Sequence, residues 1–198
     1  MNHRVIMLIV VGLFMLSPIV AWLIQSGYLG WEPDVSTGKN RGELIHPARP
    51  LDINLETPEG AKIDKNAFLG RWTLLIISDG QCVNQCEENV HHIRQAWLAL
   101  GKDADRVQRV LLTSTNMAKI VEQNPGAKLY AITMSSNTML SNFPGYNNDL
   151  LTSISGRIFV IDPMANLMMQ YPVQANPSDI LKDMKQLLKA SWIRPIKK

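Results

Sequence analysis

Cys82 and Cys86 are the only thiols in this chain of 198 residues, and they share the stretch 79–86, Asp-Gly-Gln-Cys-Val-Asn-Gln-Cys. If 82–86 form one helical turn, positions i and i+4 lie on one face with Cα atoms ~6 Å apart, within reach of a disulfide. The positive end of a helix favours a thiolate, which is both the nucleophile of disulfide exchange and a ligand for soft metals such as Cu(I). Three uses stay open at this level. The pair can be catalytic, exchanging a disulfide, with Cys82 attacking and Cys86 resolving. The same two sulfurs can be metal ligands. Or they can form an inert disulfide or lie buried as thiols, since two cysteines in a domain this size make no disulfide scaffold.

The elements around the pair give it a defined place. Residues 72–78, Trp-Thr-Leu-Leu-Ile-Ile-Ser, are a near-continuous apolar run, predicting a central strand buried on both faces. Beyond the loop, Cys86, Val90, Ile93, Trp97 and Leu100 recur at spacings of 4, 3, 4 and 3. That stripe predicts a helix packed on the sheet and ended by Gly101. Leu51 to Leu55 alternates as a half-buried strand does, and 57–60 reads as a turn. Further strands are expected at 107–113, 129–132 and 157–161, the last followed by a turn at 162–166 and a hairpin partner at 167–171. Helices are expected at 117–123 and after Ser178 or Asp179, the latter with the stripe Leu181, Met184, Leu188 and Trp192. Segment 133–156, rich in Ser, Asn and Thr, reads as a long functional loop. This interleaved order predicts an α/β sheet with helices on both faces.

The N-terminus carries a different signal. Residues 5–24 contain no charge, and at ~1.5 Å per residue such a helix crosses the ~30 Å hydrocarbon layer. A cleaved signal peptide has a shorter apolar region and a small-residue cleavage site; neither is present here. Trp22, Tyr28 and Trp31 stand where interfacial aromatics are expected. Arg4 on the short side, with Glu32 and Asp34 first on the other, points the N-terminus to the cytoplasm. The expected organisation is a short cytoplasmic end at 1–4, a transmembrane anchor at 5–24, a tether at 25–50, a folded domain at 51–193 and a basic tail at 194–198. The domain would then lie in the periplasm of a bacterial inner membrane, where thiols tend to oxidise. A net charge of +3, evenly spread, leaves lipid as a partner and excludes nucleic acid.

Taken together, the N-terminal anchor, Gly70-Arg71-Trp72-Thr73-Leu74-Leu75, the pair Cys82 and Cys86, and Ile158-Phe159-Val160-Ile161-Asp162-Pro163 with its hairpin resemble the SCO family from about Leu51 to Ile193. These are membrane-anchored, thioredoxin-fold proteins of cytochrome c oxidase assembly. The resemblance implies a thioredoxin-like fold with a central mixed sheet, and a copper site on Cys82 and Cys86. It further implies a role in building the copper centre of oxidase subunit II, by delivering copper, by reducing the subunit's cysteines, or both. The partner would be that subunit or another assembly factor. The readings beside it are a general periplasmic thiol–disulfide oxidoreductase and a non-catalytic scaffold.

One departure bears on chemistry. The family's third copper ligand is a histidine just upstream of the strand ending in Asp-Pro, and 150–156 holds none; counting back from Asp162 puts Ile154 near that place. Thioredoxin-like oxidoreductases usually carry a proline there, and this stretch lacks one too. His91 and His92 lie about 140° and 240° around a regular helix from Cys86. His92 is expected to face solvent and His91 to sit on a flank, so neither converges on the sulfurs. Met134 and Met139 are the remaining soft donors. Two thiolates alone suit linear Cu(I).

Overall fold

The structure is a computed structural model, and it describes residues 2–26, 40–57, 60–79, 85–114, 125–131, 137–146 and 151–191. The chain divides into two compact units, Met1–Gly38 and Lys39–Lys198. The first unit contains α1 (His3–Gln25), with Pro18 inside it. It is long and apolar enough to cross a membrane. Leu8, Phe14 and Trp22 are among its exposed side chains, and such a surface suits lipid.

The second unit is built on one eight-stranded sheet. Its strands are β1 (Glu43–Pro50), β2 (Leu55–Glu56), β3 (Lys62–Ile63), β4 (Trp72–Ser78), β5 (Val107–Thr113), β6 (Ala127–Ala131), β7 (Ile158–Ile161) and β8 (Asn166–Tyr171). In space they run β1-β8-β7-β4-β5-β6-β2-β3. β4, β5 and β6 are parallel to one another, and every other pairing is antiparallel. Among the described residues its α-helices are α2 (Gln85–Ala99), a single turn α3 (Asn137–Leu140), and α4 (Pro177–Ala190).

The period-2 alternation of a strand divides the core in two. Trp72, Leu74 and Ile76 of β4 join Val90 and Ile93 of α2, Leu100 just after it, and Ile180, Met184 and Leu188 of α4 on one face. Leu75 and Ile77 join Leu112, Phe159, Met139, Phe143 and Ile154 on the other. All seven residues of β4 are buried, as are all seven of β5, which is why β4 reads as an unbroken apolar run.

Several expectations are revised. The last eight residues of the stretch read as a tether form the edge strand β1, where His46 is exposed. Leu51 and Ile53 are buried as their alternation suggests. Their backbone forms no ladder, and only Leu55–Glu56 pairs as a strand. α4 begins earlier than expected: Asn176 accepts a hydrogen bond from Ser178 N and Pro177 takes the first helical position. The expected helix at 117–123, Trp192 and the tail 194–198 lie outside the described residues.

Candidate functional site

Cys86 is the second residue of α2 and is disulfide-bonded. The one other cysteine of the sequence, Cys82, lies outside the described residues. Only 5% of Cys86 is exposed, and it packs in the core that α2 and α4 share with the sheet. β4 ends at Ser78, just before the cysteine loop. The arrangement therefore sets a disulfide between the exit of a central strand and the positive end of a helix. Glu87 and Glu88 stand in the first turn of α2, where acidic side chains complement the positive end of the helix.

Gly156 stands directly against Cys86. A Cβ there would lie 3.6 Å from Cys86 Cβ, 3.7 Å from its Cα and 3.3 Å from Val173 Cγ1. With φ at 76° and its N–H donating to Ile77 O at 2.8 Å, this position takes glycine for its backbone, and an added Cβ would be tight only against Val173. Ile154 lies elsewhere. It is fully buried on the opposite face of the sheet, among Leu75, Ile77 and Phe159. The position expected to supply the third ligand thus holds a core side chain, and the one that meets Cys86 has no side chain at all.

Asn89, three residues past Cys86, is the feature that sequence reasoning missed. It is completely buried. Its Nδ2 donates to Gly156 O at 2.8 Å and to Val173 O, with Pro172 O at 3.4 Å. One amide thus ties the segment touching Cys86 to the exit of β8. The stripe Asn89, His92, Ala96, at spacings of 3 and 4, runs beside the apolar stripe and was the available signal. α2 packs against α4 as well as the sheet, so its covered face is one residue-row wider than the apolar stripe. That corrects the histidines: His92 is the half-buried one, with Nε2 3.8 Å from Glu88 Oε1, while the exposed His91 bonds Gln95 Nε2 at 2.8 Å.

A second buried polar cluster anchors the start of β1. Asp183 of α4, 1% exposed, accepts from Arg41 N at 2.9 Å, Gly42 N at 2.8 Å and Tyr171 Oη at 2.9 Å. Burial first, then the charge of Asp183, the hydrogen bond to it and Asp179, push the Tyr171 hydroxyl far above the ordinary tyrosine range. Gly42 fits because a Cβ there would come within 2.7 Å of Met169 Sδ.

As metal donors, the Cys82 and Cys86 sulfurs suit a linear Cu(I) once reduced. Among the described residues no group of three or more His, Cys, Asp or Glu could hold a metal. Met139 is fully buried in the Ile154 core, and Met134 lies outside the described residues.

Parallel β4 and β5, antiparallel β7 and β8, and a disulfide at the helix that follows β4 define a thioredoxin-like protein. The chain belongs to the family described as transmembrane-like, thioredoxin-like, C-terminal domain, which it matches over residues 72–191. No curated protein sequence matches it. Among solved structures it is similar to copper-bound Sco1 from yeast, at 12% identity and a TM-score of 0.62, covering 74% of this chain and 96% of that one. Apo Sco1 from Thermus thermophilus is similar at 17% identity and a TM-score of 0.59, covering 77% and 99%. A DsbF homologue from Corynebacterium diphtheriae is similar at 16% identity and a TM-score of 0.55, covering 76% and 96%. At these identities the likeness establishes the shared thioredoxin-like fold.

Proposed function

We propose that this protein is a membrane-anchored, SCO-like factor of cytochrome c oxidase assembly that works through Cys82 and Cys86, as a dithiol reductant and carrier of Cu(I) for the copper site of subunit II. The observation that carries the reading is the disulfide of Cys86, buried at the start of α2 with Gly156 packed on it. The motif resemblance of 70–75 and 158–163, and the similarity to yeast Sco1 with copper bound, support it.

In the reduced protein, the Cys82 thiolate attacks a disulfide of the partner, forming a mixed disulfide and releasing one partner thiolate, which takes a proton. The Cys86 thiolate then attacks the Cys82 sulfur and expels the second partner thiolate. Two electrons pass to the partner, and the chain is left with the Cys82–Cys86 disulfide. Burial of Cys86 suits the resolving role, because that sulfur is reached only from within its own chain. Copper is cargo in this scheme: the dithiol holds Cu(I) linearly and releases it on oxidation. The absence of a histidine near Ile154 places thiol exchange ahead of a stable Cu(II) form. The anchor at 5–24 would hold the domain on the periplasmic side of the inner membrane, with the chain ahead of β1 serving as the tether.

The test uses the full chain in detergent, with Cys82→Ser and Cys86→Ser as controls. Reduced protein should bind Cu(I) against a competing chelator and reduce a disulfide in a dicysteine segment of subunit II; each variant should lose both. Cu(I) binding that survives both substitutions would remove the carrier role. Reduction of unrelated misfolded disulfides as fast as the subunit segment would replace the assembly reading with a general oxidoreductase.

A further inference from the structure

Two enclosed polar atoms of α2, Asn89 Oδ1 and His92 Nδ1, have no hydrogen-bond partner. Residues i and i+3 are neighbours on a helix, and long side chains lie back over the turn towards the N-terminus. His92 does so, since its Nε2 comes 3.8 Å from Glu88 Oε1, one turn back. Its other ring nitrogen is the enclosed one, on the same covered row as Asn89. The orientation of the Asn89 amide is fixed, because Nδ2 donates to Gly156 O and Val173 O. Oδ1 is therefore an acceptor, and buried acceptors are normally satisfied.

The protonation of His92 decides whether that acceptor is served. With one proton, the ring places it on Nε2 beside the Glu88 carboxylate, and Nδ1 turns a lone pair to the amide oxygen. With two, both nitrogens donate, Nε2–H to Glu88 and Nδ1–H to Asn89 Oδ1. Among the described residues, Glu88 is the carboxylate paired with His92. The other charged groups on the elements packed here are engaged elsewhere or exposed. Segment 172–176 carries none. On α4, Asp179 pairs with Arg41 and Lys182, Asp183 holds the start of β1 and Tyr171, and Lys185 and Lys189 are exposed. From the sheet, Arg109 stacks on Trp97 and feels the charge of Arg94; on α2 itself, Glu87 is exposed.

We propose that His92 is a positioning residue for the cysteine pair: its second proton completes a chain from Glu88 through His92 and Asn89 to Gly156, and so couples the redox equilibrium of the pair to pH. The inference rests on the dithiol reading and adds a regulation of that site. The chain acts at Cys86 because Gly156, held by Asn89, packs on that residue while it is disulfide-bonded. Completing the chain favours the oxidised form, so acid makes the pair harder to reduce.

The test equilibrates the full chain in detergent with glutathione across about pH 5 to 8, the range in which imidazoles change charge. The protein disulfide takes two electrons and two protons from two glutathione thiols, leaving the protein dithiol and one glutathione disulfide. Protons balance, so the equilibrium constant has no pH dependence of its own while every thiol stays protonated. The constant for reduction should be about fivefold smaller at the acid end than at the alkaline end, a coupling at the low end of those between linked sites. His92→Asn keeps an N–H near the place of Nδ1 without titrating, and should give a flat profile at the acid value. His92→Phe should be flat at the alkaline value, and His91→Asn should leave the dependence intact. A flat or inverted profile in the unaltered protein overturns the proposal. A dependence that survives both His92 substitutions belongs to an ionising thiol and overturns it too. Nitrogen-15 spectra of the imidazoles give a second check: in Asn89→Leu the His92 ring should still titrate while the constant no longer follows. A constant that still follows removes Asn89 from the chain and sinks the proposal. Failure of the dithiol reading looks different: the subunit II segment is not reduced at any pH, whatever the glutathione profile.

Discussion

The two faces of the sheet are packed with similar apolar side chains but carry different polar content. On the face covered by α2 and α4, Cys86, Asn89, Asp183 and Arg109 are all buried. Asn89 and Asp183 bind backbone groups from distant segments. Arg109 stacks 4.5 Å from the Trp97 ring; burial, reinforced by the charge of Arg94, lowers its pKa. On the opposite face the side chains around Ile154 are Leu, Ile, Phe and Met, and the buried polar groups are uncharged, such as Gln108 bonded to Thr73 Oγ1 at 2.9 Å. The difference teaches where each kind of change will be felt. One face contributes stability alone. The other contributes stability and sets the position of the Cys86 sulfur.

Phe159→Ala makes the sharpest test on the apolar face. Phe159 is fully buried, edge-on to Phe143 at 4.8 Å between ring centres. Its loss should cost about 4 kcal/mol in urea unfolding while leaving the midpoint potential of the cysteine pair in place; a shifted potential would break the comparison. Ile154→His puts the absent ligand type at its expected place, but on this same face. It should destabilise by about 3 kcal/mol and give no Cu(II) signal by electron paramagnetic resonance; a thiolate–imidazole spectrum would reverse the assignment of faces.

Asp183→Ala leaves Arg41 N, Gly42 N and Tyr171 Oη without their acceptor, and should cost about 3 kcal/mol. Asn89→Leu should cost about 2 kcal/mol by stranding the carbonyls of Gly156 and Val173. Unlike Phe159→Ala, it should move the potential of the cysteine pair, because Gly156 is then free to shift against Cys86. The smallest effect is a dependence on pH. The Tyr171 hydroxyl is held protonated far above the ordinary range, whereas an unfolded chain loses that proton near pH ~10. Above that pH the folded state binds more protons than the unfolded one, so stability should fall as pH rises, and Tyr171→Phe should flatten the slope. Urea midpoints from pH 8 to 11 measure it.

Much of the framework was legible. β4, β5 and the hairpin of β7 and β8 announce themselves because residues buried on both faces, or alternating beside a tight turn, leave little else for such runs to form. The stripe of α2 is as plain, with Cys86 on it. What escaped was what depends on a second element. The wider covered face of α2 follows from α4 packing beside it, so His92 is half-buried and Asn89 is enclosed. β1 is a strand because β8 offers it a partner, while its own sequence, with two prolines and two charges in eight residues, reads as a tether.

By itself the sequence determined that Cys86 stands at the start of a helix behind a central strand, since hydrophobic periodicity is a local property of the chain. It also determined that no histidine stands in 150–156. Only the tertiary structure decided what meets Cys86. A strand turns successive side chains to opposite faces, and the loop leading into β7 enters so that Ile154 falls on the far side and Gly156 on the near side. Which residue touches a sulfur depends on the path of a segment some seventy residues away, and no count along the chain contains that path.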